Sequence, residues 1–573
     1  VLGRVCPAPC EEHCRRDEVE EAIAIRDSHR YAGDQVLKAQ ADGTRAPVPF
    51  DQGPATGKRV AVIGSGPSGM SAAYYLSLNG HEVTVFERDP DPGGMLRYGI
   101  PEYRLPKDRI LAAEYQSVWD LGAKLVTGVE LGTDFTLDDL QNQGFDAVLV
   151  AIGCYDTNKL GIPGEDADGV IDGLEYLRIA TLGLPYPDHA GKRVVVIGGG
   201  FTSMDCSRTS VRQGCIETTL VYRRDMKDMP AADEVHEMLE EGARAIFQAS
   251  PTRVVTDAND KVTGVEFQRM ALGEPDASGR RRPEPVEGTE FIIDCDRVLL
   301  AIGQGPELGW LENGADGVEK TKRWRLDADA VTFATGRAGV FGAGDVRTGA
   351  ATVVEAIAEG RRASYAIDAY LQGQDLEEIR TRQTLAEPQP EFLSIVPYTD
   401  EVKEPRLRLK SMPAEERAKS YVEYEIPYTQ QEAMSESARC LQCTCEAIGY
   451  CDLRRQGIEY GTTLKTLEPK RSGLSFRSVS ENRFTGLNHD YIRDDSHAFI
   501  LREPSRCIDC GRCANVCREV VGAACYDFMR TGFDTLVTTP LDMSLNTTPC
   551  VSCGRCAETC PTGALMPKPR VLE

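Results

Sequence analysis

Twenty cysteines stand in a chain of 573 residues, and their spacing is the first feature that implies chemistry. Most fall into groups: Cys6, Cys10 and Cys14; Cys440, Cys443, Cys445 and Cys451; Cys507, Cys510, Cys513 and Cys517; and Cys550, Cys553, Cys556 and Cys560. Cys154, Cys206, Cys215, Cys295 and Cys525 are isolated. The last two groups each read C-x2-C-x2-C-x3-C, the second followed by Pro561. In this pattern three close thiolates and a fourth from the other run complete each of two 4Fe-4S clusters. By that rule Cys560 joins Cys507, Cys510 and Cys513, while Cys517 joins Cys550, Cys553 and Cys556. Zinc suits these runs poorly, because structural zinc sites favour paired CxxC ligands. The C-x2-C-x-C-x5-C group starting at Cys440 leaves three readings open: a further iron-sulphur cluster, a zinc ion, or no metal. Close spacing of this kind seldom serves disulfides in a long chain, and no secretory segment is visible, so metal ligation in a reducing, cytoplasmic setting is the expectation. The chain opens on Val1 rather than Met with three cysteines in its first group, so residues upstream carrying more ligands are expected.

Two glycine patterns imply nucleotide chemistry. KRVAVI, ending at Ile63, is followed by Gly64-x-Gly66-x-x-Gly69, an alanine-rich helical stretch containing Pro67 at its start, and a second apolar run ending in Glu87-Arg88. Glycines at these positions let the backbone turn, approach a pyrophosphate and pack helix on strand, while the acid accepts from ribose hydroxyls. The pattern recurs as RVVVI and Gly198-x-Gly200-Phe201-Thr202-Ser203, then TTLVY ending at Tyr222 with Arg223 and Arg224 after it. Two guanidinium groups in place of an acid suit a 2'-phosphate. FAD is therefore expected at the first site and NADPH at the second, with NADH open if the arginines are only a solvated pair. A third stretch, AGVFGAGDV with Gly344-Asp345, leads to a helix beginning near Ala351-Thr352. Asp345 is placed to accept from a ribityl hydroxyl, and the helix N-terminus favours charge on a reduced flavin. Gly94 and Leu96, in GGMLRYGIP, and Gly303, in VLLAIGQG, are further cofactor candidates. Seven histidines show no metal-ligand spacing, so no separate mononuclear centre is proposed, and no acid, base or nucleophile stands out as catalytic.

The elements positioning these residues are short parallel strands alternating with helices, an α/β arrangement. At roughly 100 to 200 residues per domain the chain holds about three to five. The sequence divides into an N-terminal iron-sulphur segment (1–45), a FAD-binding domain in two parts (46–156 and 300–375), an NAD(P)H-binding domain inserted in it (157–299), a proline-punctuated connector (376–495) carrying Cys440 to Cys451, and a two-cluster domain (496–573). AVLVAIG and VLLAIGQG mark where the chain crosses between nucleotide domains. With 65 Lys and Arg against 89 Asp and Glu, the formal charge of -24 argues against a nucleic acid partner. No apolar run approaches the roughly 20 residues of a membrane span.

The quoted motifs, together with GRVCPAPCEEHC, ERDPDPGGMLRYGIPEYRLPK and VYRRDMKDMPA, resemble the small subunit of glutamate synthase and related flavoproteins, such as the NADH-dependent ferredoxin:NADP oxidoreductase and dihydropyrimidine dehydrogenase, from Cys6 to about residue 372. The resemblance implies FAD at the first Rossmann unit, NADPH at the second, and one or two iron-sulphur clusters at Cys6, Cys10 and Cys14. The C-terminal cysteine runs and CPTGAL are similar to the ferredoxin-like cluster pair of formate dehydrogenases and of a large subunit of NADH-quinone oxidoreductase. Related architectures serve dissimilatory sulphite reductase and soluble iron(III) reductase or formate-dehydrogenase-like complexes, so the resemblance implies a sulphite reductase-like or molybdopterin enzyme-like partner docking near the ferredoxin-like domain.

The function expected is an electron-transfer subunit. NADPH and FAD exchange a hydride, and single electrons pass through the clusters to or from a partner enzyme. A thioredoxin-reductase-like disulfide reductase needs a CxxC pair beside the flavin, which Cys206 and Cys215 do not form. A non-enzymatic electron-transfer adaptor is the other alternative.

Overall fold

The computed structural model describes residues 1–46, 48, 50–184, 189–275, 281–376, 403–441, 493–529 and 536–568. Contacts divide it into two compact units. The first is Val1–Arg380 with Lys403–Arg439, and the second takes in the described residues from Cys440 onward. Cys443, Cys445 and Cys451 lie outside the described residues, as do the prolines at 47 and 49. No helix among the described residues is long and apolar enough to cross a membrane.

The first unit opens with the Cys6–Cys14 segment and helix α1 (Ile25–Ala41). Strand β1 (Arg59–Ile63) then leads into α2 (Pro67–Leu78), followed by β2 (Glu82–Glu87), β3 (Lys124–Thr127) and β4 (Ala147–Val150). Before this sheet is finished the chain builds a second one from β5 (Val170–Asp172), β6 (Arg193–Ile197), helix α3 (Phe201–Arg212), β7 (Glu217–Tyr222), helix α4 (Val235–Glu240) and β8 (Arg244–Phe247). An antiparallel sheet of β9 (Ala249–Thr256), β10 (Val262–Pro275), β11 (Arg281–Pro285) and β12 (Phe291–Asp294) comes next. After it, β13 (Arg297–Leu300) joins the second sheet, and β14 (Val340–Gly342) returns to complete the first. Helices α5 (Val353–Leu371) and α6 (Gln430–Ala438) follow.

Both five-stranded sheets are parallel, with orders β14-β4-β1-β2-β3 and β5-β13-β6-β7-β8. In each, the strand preceding a glycine pattern has its neighbours on opposite sides of the topological switch, the place where such sheets bind ligands beyond their carboxyl ends. The apolar runs exist because both faces are covered. Val60 and Val62 pack on one side with Leu76 and Ile367, whereas Ala61 and Ile63 pack on the other with Leu140 and Val346. The second sheet repeats this alternation, Val194 and Val196 facing Met204 and Val195 and Ile197 facing Val265.

In the second unit, β15 (Ile500–Arg502) pairs antiparallel with a strand at Leu565–Pro567, and Asp527–Met529 pairs with Leu536–Thr538. The two cysteine runs adopt matching backbones. Asp509 and Gly511 have φ of 52° and 69°, while Ser552 and Gly554 have φ of 58° and 75°. A small core of Ile500, Tyr526, Val537, Leu545 and Leu565 encloses Cys517, Cys525 and Cys556.

Candidate cofactor site

The first glycine pattern is fixed by close approach. A side chain on Gly64 would stand 2.5 Å from the Ala151 carbonyl oxygen, and one on Gly69 would stand 1.9 Å from the Gly64 carbonyl oxygen. Gly66 faces open space just before α2, leaving room for a pyrophosphate at that helix N-terminus. Glu87 is buried and already oriented: it accepts from the N–H groups of Ser65 and Asp89, at 2.9 and 2.8 Å, and from the Ser65 hydroxyl. Arg88 lies over the Tyr155 ring and pairs with Glu307 at 2.5 Å. Gly94 brings its loop against Gly66, where an added Cβ would meet the Gly66 Cα at 2.9 Å.

These residues line one side of a cavity of about 1080 Å³. Gly64, Gly66, Pro67, Glu87, Arg88, Gly94, Asp345, Ala351 and Thr352 all reach it, and so do Phe201 and Thr202 from the second nucleotide domain. Gly69, Leu96, Gly303 and Gly344 do not line it. Leu96 is core, Gly303 turns with φ of 101°, and Gly344 lets its loop approach Ser68. Asp345 carries a buried carboxylate oxygen with no hydrogen-bond partner. Burial pushes its carboxyl up to about 6, partly opposed by the Ala351 N–H. An orphaned acceptor at the cavity wall fits a sugar-alcohol hydroxyl. Thr352 caps α5, taking the Glu355 N–H at 3.4 Å while Glu355 takes the Thr352 N–H at 2.9 Å, so this helix starts at the cavity.

The second pattern repeats the first with one difference. A Cβ on Gly198 would meet the Ala301 carbonyl oxygen at 2.2 Å, the counterpart of Gly64 against Ala151, and Gly200 again opens onto space before its helix. Ser203, in place of a third glycine, is fully buried and turns its hydroxyl back to the Gly200 carbonyl at 2.6 Å. The Tyr222 ring sits on Gly199, placing the end of β7 beside the glycine loop. Arg223 is exposed there, and half-buried Arg224 donates Nε to the Arg281 carbonyl at 3.1 Å. Gly198, Gly200, Ser203, Arg223 and Arg224 do not line the large cavity; the N-terminus of α3 opens onto it through Phe201, Thr202 and Asp205.

Several residues that position the site escaped the sequence reading. Arg104, in the YGIPEYRLPK stretch, lies 2.5 Å from Asp205 of α3 and donates to Glu234 at 2.7 Å, joining the two nucleotide domains. Nearby Lys107 is buried and donates to the carbonyls of Ile100 and Leu105 at 2.6 and 2.9 Å, and burial pushes its ammonium down to about 7. Residues 403–439, read from the sequence as connector, pack as part of the first unit. Glu423 binds Arg4 and Arg30, each at 2.6 Å, and Tyr424 donates to Glu237 at 2.8 Å. The strap therefore joins the N-terminal cysteine segment to the second nucleotide domain. Its signal was the charge alternation of Glu423, Glu425 and Arg417, which sequence alone cannot pair.

Cys6 lines the same large cavity. It accepts the Ala8 N–H at 3.4 Å, with Ala8 at φ of 55°. Cys507 accepts from Asp509, and Cys550 from Ser552, at the same distance and with the same backbone hand. Cys14 accepts the Ile23 N–H at 3.4 Å, and exposed Cys10 is raised by burial and by nearby Glu11, Cys6 and Cys14. In the second unit, Cys507, Cys510, Cys513 and Cys560 line one pocket, while Cys517, Cys550, Cys553 and Cys556 line another. This is the crossed grouping expected from the spacing, and four thiols around one pocket fit a 4Fe-4S cluster. No three His, Cys, Asp or Glu side chains among the described residues close on a single metal ion. Of the isolated cysteines, Cys206 donates to the Gly173 carbonyl at 3.4 Å and Cys215 to the His189 carbonyl at 3.3 Å. Burial pushes Cys215 up to about 12, and neither thiol lines the cavity.

Residues 58–360 match the pyridine nucleotide-disulphide oxidoreductase family, and residues 543–566 match a 4Fe-4S binding domain. The chain is 41% identical to the NADP(+)-dependent formate dehydrogenase subunit beta of Moorella thermoacetica, over 77% of this chain and 65% of that protein. It is 40% identical to the NADPH-Fe(3+) oxidoreductase subunit beta of Geobacter sulfurreducens, over 77% and 69%. It is 39% identical to the glutamate synthase [NADPH] small chain of Escherichia coli, over 65% and 80%. The match thus spans about two thirds of the length of the first two relatives. Paired dinucleotide folds around one cavity and cysteine-walled pockets agree with those matches: the chain belongs to the pyridine nucleotide-disulphide oxidoreductases, as a glutamate synthase small chain-like FAD/NADPH enzyme carrying a 4Fe-4S domain.

Proposed function

We propose that this chain is the electron-transfer subunit of a larger NADPH-linked redox enzyme. The observation carrying the reading is that one cavity is lined jointly by Gly64 and Gly66, by Phe201 and Thr202, and by Cys6. FAD bound there would supply the conversion between a two-electron hydride and single electrons, which iron-sulphur clusters accept one at a time.

The residues divide the work. Gly66 and the start of α2 receive the FAD pyrophosphate, Glu87 its ribose, and Asp345 its ribityl chain, while the N-terminus of α5 favours negative charge on the flavin ring. Gly198, Gly200 and α3 hold the second dinucleotide, and Arg223 and Arg224 select its 2'-phosphate. Phe201 and Thr202 bring its nicotinamide end to the cavity wall. Arg104 and the strap hold the two nucleotide domains in register. Cys6, Cys10 and Cys14 bind a cluster beside the flavin. The crossed sets at the C-terminus bind two more, with electrons leaving through the ferredoxin-like domain to a partner. The name of one relative makes a formate dehydrogenase a candidate partner. The inserted NAD(P)H domain and paired clusters belong to this same reading.

The test is anaerobic titration with NADPH and NADH separately, read by absorbance and low-temperature EPR. NADPH should bleach the flavin and then bring up reduced 4Fe-4S signals. A flavin that NADPH and NADH both leave oxidised overturns the reading.

A further inference from the structure

The two cysteine pockets of the second unit are not equal. Cys507, Cys510, Cys513 and Cys560 line the first, whereas Cys517, Cys525, Cys550, Cys553 and Cys556 line the second. A cubane cluster takes four thiolates. The second pocket therefore has one sulphur more than its cluster can use.

The surplus sulphur is Cys525, which lies outside the C-x2-C-x2-C-x3-C runs. The chain folds tightly between Cys517 and Cys525: the N–H groups of Ala523 and Ala524 donate to the Cys517 carbonyl at 3.0 and 3.3 Å, and Ala524 takes a left-handed φ of 51°. This turn presents the Cys525 N–H to Cys517 Sγ at 3.2 Å. The Cys525 S–H points toward the Ala523 carbonyl at 3.7 Å. Cys525 is 1% exposed and Cys517 is 8% exposed, so water does not compete for either sulphur.

We infer that Cys525 is a reserve ligand of the second C-terminal cluster, able to take the iron held by Cys517. The inference rests on the reading that this pocket holds a 4Fe-4S cluster. In the exchange the Cys525 thiol gives its proton to the Cys517 sulphur, a Cys525 S–Fe bond forms, and the Cys517 S–Fe bond breaks. No electron changes hands, and no other reactant is needed. The cluster nearest the surface-exposed Val551 and Cys553 thus keeps four thiolates when its one ligand from the other cysteine run is lost. The first pocket has no such thiol among its lining residues.

The experiment compares the full chain, purified anaerobically, as wild type, Cys517→Ala, Cys525→Ala and Cys517→Ala/Cys525→Ala, with iron, acid-labile sulphide and EPR measured on each. Cys517→Ala should keep wild-type iron with an altered EPR line shape, and the double variant should lose about four iron atoms per chain. Loss of those irons already in Cys517→Ala, with flavin absorbance intact, overturns the inference. A Cys553→Ala/Cys556→Ala control distinguishes the underlying reading: if its iron equals wild type, the pocket holds no cluster and both statements fall. Should Cys517→Ala not fold, the rate at which a chelator strips iron decides. Cys525→Ala should lose the second cluster several-fold faster than wild type, and equal rates overturn the proposal.

Discussion

Arg417 donates Nε to Glu241 Oε1 at 3.1 Å, and with that bond residues 403–439 close onto the second nucleotide domain. The Glu241 carboxylate is fully buried between Arg417, Arg208 and Arg212, the latter two donating at 2.6 Å. A buried carboxylate is stable only while such partners remain, and removing one side of a buried pair costs about 3–5 kcal/mol. Glu241→Gln should therefore lower stability by roughly that amount, read by chemical unfolding, and leave residues 403–439 open to limited proteolysis. Burial works against the charge, but the bonds from Arg208 and Arg212 outweigh it and hold the carboxyl down to about 2, against an ordinary value of 4.5. Its contribution is present above pH 4.5 and disappears as pH falls toward 2, so Glu241→Gln should flatten the acid limb of the stability curve. An unchanged midpoint would place the strap's hold elsewhere.

Asp345 is shifted the other way from Glu241. Burial raises its carboxyl to about 6, and one buried carboxylate oxygen of this cavity-lining residue has no hydrogen-bond partner. A flavin hydroxyl donating to it favours the charged form, so FAD binding releases a proton and affinity rises as pH increases through about 6. Reconstitution of apoprotein followed by flavin fluorescence should show this slope. Asp345→Asn should weaken binding and abolish the slope near pH 6; a slope that survives assigns it to another group.

The crossed cysteine sets predict a swap of consequences between the two runs. Cys560 belongs to the second run in sequence but shares its pocket with Cys507, Cys510 and Cys513. Cys560→Ala should perturb the same EPR signal as Cys510→Ala, and leave the signal altered by Cys553→Ala. If Cys560→Ala instead groups with Cys553→Ala, each run holds its own cluster.

Local spacing made the nucleotide folds and these cysteine pockets legible. Each depends on residues close in sequence: Gly64 to Gly69 fixes a turn and a helix start, and Cys550 to Cys556 fixes three sulphurs on one loop. Even the crossed fourth cysteine of each pocket followed from the repeat. What spacing could not supply was pairing over long separations. Arg104 with Asp205, and Arg30 with Glu425, join residues about a hundred or more positions apart, and a charged residue in sequence shows no partner. Ser203, standing where the first pattern has its third glycine, bonds the Gly200 carbonyl at 2.6 Å, a local use that its small size permits. Cys525 carried no motif at all, because its place depends on how the chain turns after Cys517.

The proposed coenzyme preference rests on Arg223 and Arg224, whose surroundings differ. Arg223 is exposed beyond β7, whereas Arg224 has its Nε engaged by the Arg281 carbonyl at 3.1 Å. That bond fixes the plane of the guanidinium and leaves its terminal nitrogens to meet a phosphate, a geometry lysine cannot reproduce. A hydrogen bond to a charged group contributes about 1.5–3 kcal/mol, which is roughly a 10- to 100-fold change in affinity. Arg224→Ala should raise the KM for NADPH within that range and leave the KM for NADH nearly unmoved, measured by anaerobic flavin reduction. Arg224→Lys should recover only part of the loss, because it keeps the charge without the fixed plane. Equal losses for both coenzymes would mean that Arg224 supports the fold of the β10–β11 hairpin rather than selecting the phosphate.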